Sequence, residues 1–155
     1  MDTPALLQSA QGLLAPWIAR IDEPETNRID VYLESPDQVP DAVRAMFEAG
    51  GWHLSAITGL DVPQTSTTEG AIDLIYHFCK RAAVVSLRVS LPYGLPEVPT
   101  ICGIIPSAGL YEREAVEMLG VIVTDTPIRT KIILPDDWPD WVYPLRKSFT
   151  GLDQD

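Results

Sequence analysis

Two stretches of strict alternation, joined by a short polar turn, constrain this chain more than any other feature. Ile72, Leu74, Tyr76 and Phe78 occupy alternate positions, and so do Val85, Leu87, Val89 and Leu91, with Lys80-Arg81 between the two sets. Alternate residues of a strand point to opposite faces of a sheet, so each stretch predicts a strand with one apolar face. A connection this short joins antiparallel neighbours, which makes the pair a hairpin. Its apolar face needs a cover, and helices elsewhere in the chain can supply one.

Upstream, Thr3-Pro4 reads as an N-cap followed by proline in the first turn. Leu6, Leu7, Ala10, Leu13, Leu14, Trp17 and Ile18 recur at helical spacing, with Pro16 kinking or restarting the helix. Ile29, Val31 and Leu33 alternate as a short half-buried strand. Ser35 or Pro40 opens a second helix carrying Val43, Met46 and Phe47, and Gly50-Gly51 ends it. A further strand is expected over 52–58 and a loop over 61–70. Beyond the hairpin, a proline-rich connection over 92–106 leads to a helix over 107–119, closed by Gly120. Short extended pieces are expected at 121–123 and 131–134, and nothing after Pro135 is periodic. The order predicts an α+β two-layer sandwich: a mostly antiparallel sheet with helices on one face, and an extended C-terminal tail. One domain over 1–134 and a docking tail over 135–155 follow.

The 155 residues, 46% hydrophobic, suit one folded domain. A net charge of -11 repels nucleic acid and anionic lipid. The uncharged run 98–111 is interrupted by Pro99 and Pro106 and is too short to span a bilayer. The start, Met1-Asp2-Thr3-Pro4, lacks the basic region of a signal peptide, so any membrane contact is expected to run through other proteins. Cys79 and Cys102 form no close pair, and a reducing cytoplasm suits them.

Neither the G-x-G-x-x-G nor the P-loop pattern occurs, and no nucleophile elbow is present. An iron–sulfur cluster takes four thiolates, or two with two histidines. Cys79, Cys102, His53 and His77 match that second count, but only His77 and Cys79 are close, on one face of one strand. The expectation is therefore no catalytic residue, no cofactor and no metal in this chain. Two other constellations stand out. In Glu112-Arg113-Glu114-Ala115-Val116-Glu117, Arg113 and Glu117 are i and i+4 neighbours on a helix, which predicts an ion pair; a solvated, salt-bridged face is the plainer alternative. In the tail, Asp136-Asp137-Trp138-Pro139 and Tyr143-Pro144-Leu145-Arg146-Lys147, with Trp141 between them, form a stiff aromatic segment. It suits docking on another surface, or folding back on its own domain.

Glu-Arg-Glu-x-x-Glu-Met-Leu-Gly-Val from Glu112, then Ile-Ile-Leu-Pro-Asp-Asp-Trp ending at Trp138, then Pro-Leu-Arg-Lys ending at Lys147, form a recognisable set. The set resembles the family of the small hydrophilic peripheral-arm subunit, the C-type subunit, of respiratory complex I (NADH-quinone oxidoreductase). That family has relatives in membrane-bound hydrogenases, formate hydrogenlyases and F420H2 dehydrogenases. The Tyr76-His77 strand resembles the family as well, and the likeness runs over about 43–152. The resemblance implies a non-catalytic peripheral-arm subunit of an ion-translocating oxidoreductase, held on the cytoplasmic face of the membrane by its partners. It implies packing against the large hydrogenase-like subunit, the D-type subunit of such a complex, which carries the quinone site. Iron–sulfur clusters and a flavin or nickel–iron centre would belong to partner subunits. Glu112, Arg113, Glu114, Glu117, Asp136, Asp137, Trp138, Arg146 and Lys147 would be structural and interface residues. The alternatives are the equivalent subunit of an energy-converting NiFe hydrogenase or formate hydrogenlyase, and a freestanding α+β binding domain.

Overall fold

A computed structural model describes residues 2–152 of the chain. Met1 and the last three positions of the tail predicted over 135–155 lie outside the described residues. Helix α1 (Thr3–Leu14) passes through a 3-10 turn (Ala15–Trp17) into strands β1 (Ile18–Glu25) and β2 (Arg28–Leu33). A second 3-10 turn (Pro36–Gln38) opens α2 (Val39–Glu48), and β3 (His53–Val62), β4 (Ala71–Lys80) and β5 (Ala83–Pro92) follow. A short β6 (Glu97–Pro99), helix α3 (Ala108–Leu119) and β7 (Ile122–Thr124) complete the regular structure.

The predicted hairpin is β4–β5, in the middle of a five-stranded sheet of order β1-β2-β5-β4-β3. Leu74 pairs with Val89 and Tyr76 with Leu87, so the two alternating sets do share one face. Strand β2 joins β5 in parallel, setting Ile29 beside Val85 and Val31 beside Leu87; the other three pairings are antiparallel. Helix α1 packs on β5 and α2, and α3 packs on β3. Tyr76, Phe78, Leu87, Val31, Met46 and Leu14 are closed from solvent between the layers. Each such side chain contributes about 1.5–3 kcal/mol relative to exposure.

The other face of the sheet is polar. Asp30 accepts Arg28 Nε at 2.7 Å and Arg88 Nε at 2.9 Å, and His77 joins Thr58 (2.9 Å) to Ser86 (3.1 Å). Burial, chiefly, and then the charges of Arg28 and Arg88 hold the His77 ring below its ordinary pKa, while Asp30 opposes them.

Four local expectations are corrected. Strand β1 was not expected, because Trp17 and Ile18 extend the helical spacing; Pro16 instead ends the α-helix, and the exposed, charged side chains of an edge strand leave no alternation to read. The α1 cap is Asp2 rather than Thr3, with Ala5 N–H donating to Asp2 Oδ1 at 3.0 Å. Phe47 lies on the outer side of α2, 49% exposed. Residues 131–134 form no strand, since a side chain takes their amides, and the small parallel sheet is β6–β7 instead, with Val98 beside Val123.

Candidate functional site

Helix α3 turns Ala108, Glu112, Ala115 and Leu119 inward, at spacings of four, three and four residues. A carboxylate at such a position must be fully hydrogen-bonded to be tolerated. Glu112 is 3% exposed and accepts Ile101 N–H (2.7 Å), the Thr100 hydroxyl (2.7 Å) and the Cys102 thiol (3.2 Å). Burial raises the pKa of the Cys102 thiol, and the neighbouring carboxylate adds to this. Glu112 thus pins the turn that follows β6.

Glu117, five residues on, faces the other way. Its Oε2 accepts Ile133 N–H at 2.9 Å and Leu134 N–H at 3.0 Å, and its Oε1 accepts Ile132 N–H. Three consecutive amides on one carboxylate bind residues 132–134 across α3. The predicted Arg113–Glu117 ion pair does not form. Arg113 donates to the Thr130 carbonyl (2.8 Å) and hydroxyl (2.9 Å), because the chain passing over α3 brings a carbonyl to the guanidinium while its amides occupy Glu117. Glu114 is exposed, and its side chain makes no hydrogen bond among the described residues.

The chain over 126–152 is irregular and lies back over the domain as a strap. Gly120 ends α3 in the left-handed conformation, φ 75°, and Tyr143 packs so closely over it that a Cβ there would lie 2.5 Å from the ring. Leu145 N–H donates to the Met118 carbonyl (3.0 Å) and Arg146 Nε to that of Leu119 (2.7 Å), placing a cation at the helix C-terminus. Arg146 also sits 4.8 Å from the centre of the Tyr93 ring. Lys147 N–H donates to Asp61 Oδ2 at 2.7 Å, and Asp61 Oδ1 accepts the Tyr93 hydroxyl. Loss of solvent and that bond push Tyr93 up to about 12. Trp138 bonds the Val142 carbonyl through Nε1 (2.9 Å) and tilts against Phe149, whereas Asp136 and Asp137 are exposed.

Of the residues singled out from the sequence, Glu112, Arg113, Glu117, Trp138, Arg146 and Lys147 are therefore brought together around α3. Asp61 and Tyr93 were missed. Asp61 had a legible signal, since it falls on the same parity as buried Ile57 in β3, a costly place for an acid without a task.

Between α3, β7 and the chain over 126–143 lies a groove of about 520 Å³. Among the described residues twelve large apolar side chains are exposed, and nine of them fall between 110 and 152: Leu110, Val116, Ile122, Ile128, Ile132, Ile133, Trp141, Leu145 and Leu152. Among the described residues no group of three His, Cys, Asp or Glu side chains is placed to hold a metal ion, and no helix is long and apolar enough to cross a membrane.

Comparison with known proteins supplies the context for this surface. Residues 31–155 match the model of a family described as respiratory-chain NADH dehydrogenase, 30 Kd subunit. The chain is 32% identical to formate hydrogenlyase subunit 5 of Escherichia coli over 71% of its own length, which is only 19% of that protein. It is 28% identical to the C-type subunit of F420H2 dehydrogenase from Methanosarcina mazei over 98% of this chain and 94% of that one. It is 29% identical to the C-type subunit of NADH-quinone oxidoreductase from Roseiflexus over 77% of this chain and 68% of that one. In fold it is similar to a chain of an archaeal membrane-bound sulfane sulfur reductase, with a TM-score of 0.79, 24% identity and coverage of 96% of this chain and 86% of that one.

Proposed function

Because the chain belongs to the family of the 30 kDa subunit of respiratory-chain NADH dehydrogenase, we propose that it is a non-catalytic peripheral-arm subunit of an ion-translocating NADH-quinone oxidoreductase. Its task is to scaffold the large hydrogenase-like subunit that carries the quinone site, on the cytoplasmic face of the membrane. The chemistry then belongs to iron–sulfur clusters and a flavin or nickel–iron centre on partner chains. The observation that carries this reading is the crowding of exposed apolar side chains onto α3 and the strap. Contiguous apolar surface rimmed by polar groups marks a protein interface, and Trp, Tyr and Arg concentrate binding energy there. Asp61, Arg113 and Glu117 fix the strap's backbone while Trp141 and Leu145 stay exposed.

The test is to purify the tagged chain from native membranes in mild detergent and identify what accompanies it by mass spectrometry. The large subunit and iron–sulfur subunits are expected, and the chain separated from them should be colourless. A monodisperse chain that brings no partner from membranes would replace this reading with the freestanding domain. A second reading, the equivalent subunit of a hydrogenase-type complex, is supported by one observation: the 32% identity to formate hydrogenlyase subunit 5 over 71% of this chain. The partners separate the two, since NADH- and flavin-binding subunits belong to the first and a nickel-binding large subunit to the second.

A further inference from the structure

We propose that the groove between α3 and the strap receives an apolar segment of a partner subunit that carries at least one carboxylate. This rests on the reading above and adds where the partner enters and what chemistry it brings. Val116 on α3, Ile122 on β7 and Ile128 and Val142 on the strap form apolar walls, and the first three are exposed. Trp141 also lines the groove, 85% exposed and on a backbone with φ 66°. A bulky residue held in the left-handed region costs on the order of 1 kcal/mol, and an uncovered indole forgoes its burial. A partner laid over the ring removes the second cost and gives the first a use. The groove volume, about 520 Å³, has room for a few side chains but not for a domain.

The charge around the groove selects the carboxylate. Six charged residues line it: Glu112, Glu117 and Asp140, with Arg113, Arg129 and Lys131. Glu112 and Glu117 turn their oxygens inward onto amides, a hydroxyl and a thiol, so Asp140 is the one exposed anion of the lining. Arg129 and Lys131 are exposed cations. The lining sums to zero, three acids against three bases, but its exposed charges are two cations to one anion, so in a chain of net charge -11 this is where an acidic segment is accommodated best. The walls are already set by Glu117 and Arg113 and by Tyr143 on Gly120, so little ordering entropy is lost on binding.

The experiment places the photoreactive residue 4-benzoylphenylalanine at Ile122 in the full-length tagged chain, and separately at Phe47, which is exposed and does not line the groove. After irradiation in native membranes, the position at Ile122 should cross-link to an apolar peptide of one co-purifying subunit, with an Asp or Glu in that peptide. The position at Phe47 should not yield that peptide. Val116→Glu and Ile122→Glu, both at exposed positions, should leave the melt of the purified chain unchanged and reduce the recovered partner at least about ten-fold. Arg129→Gln with Lys131→Gln should weaken recovery and flatten its salt sensitivity. A probe at Ile122 that reacts with no partner, with a second copy of this chain, or with a segment free of acidic residues would overturn the proposal, as would normal assembly of the two Glu variants. A wild-type chain that recovers no partner at all would instead sink the subunit reading itself.

Discussion

Glu117 is the residue on which the strap's attachment most depends, and replacing it tests that dependence directly. In Glu117→Ala, the amides of Ile132, Ile133 and Leu134 lose one shared charged acceptor. Each such bond contributes about 1.5–3 kcal/mol where water is excluded. Ile132 and Ile133 are 40% and 47% exposed, so water takes up the released amides and the three contributions do not add. About 2–4 kcal/mol remains. If that energy holds the strap closed against local opening, amide exchange at 132–134 accelerates roughly 30- to 1000-fold. Hydrogen–deuterium exchange of the isolated chain, read by mass spectrometry, measures it. Glu117→Gln, which keeps the volume and one acceptor oxygen, should cost about 1–2 kcal/mol. Arg113→Ala removes bonds only to Thr130 and Lys131 from a partly exposed site, and should cost under about 1.5 kcal/mol. Wild-type exchange at 132–134 in Glu117→Ala would show that the carboxylate does not hold the strap.

Two further perturbations probe the platform beneath it. An Ala at position 59 would put its Cβ 2.1 Å from Leu119 Cδ1, and Leu119 is 2% exposed and cannot swing clear, so Gly59→Ala should cost about 1–3 kcal/mol and lower Tm by roughly 3–10 °C; an unchanged melt would mean that α3 stands farther from β3. The His77 ring is held below its ordinary value of 6.5, so the unfolded chain takes up that proton first as pH falls. Its contribution is therefore complete above about pH 6.5 and declines as the pH drops toward the lowered value; urea titrations should show this slope in the wild type and a flatter one in His77→Gln, and equal slopes would refute the assignment.

The alternation over 72–91 was enough to place the central hairpin, and Gly120 enough to end α3, because each feature depends on a chain neighbour. Two-fold periodicity and a left-handed glycine are local properties that no distant contact must supply. The family motif around Glu112 and Glu117 was legible for the same reason, as a fixed string of side chains. What each acid does was not legible. The i, i+4 rule paired Arg113 with Glu117, yet the energy lay with amides fifteen to seventeen residues further on, and with Thr130 for the arginine. Strand β1 escaped because its mostly exposed, charged side chains show no alternation, and the parallel joining of β2 to β5 because register between distant strands leaves no trace in either one. Local propensity and periodicity therefore determined most of the elements and the α+β class of this protein. Tertiary structure alone decided that Glu117 and Arg146 bind the strap to α3 and Asp61 binds it to β3, since a carboxylate's hydrogen bonds go to whichever donors packing brings within about 3 Å.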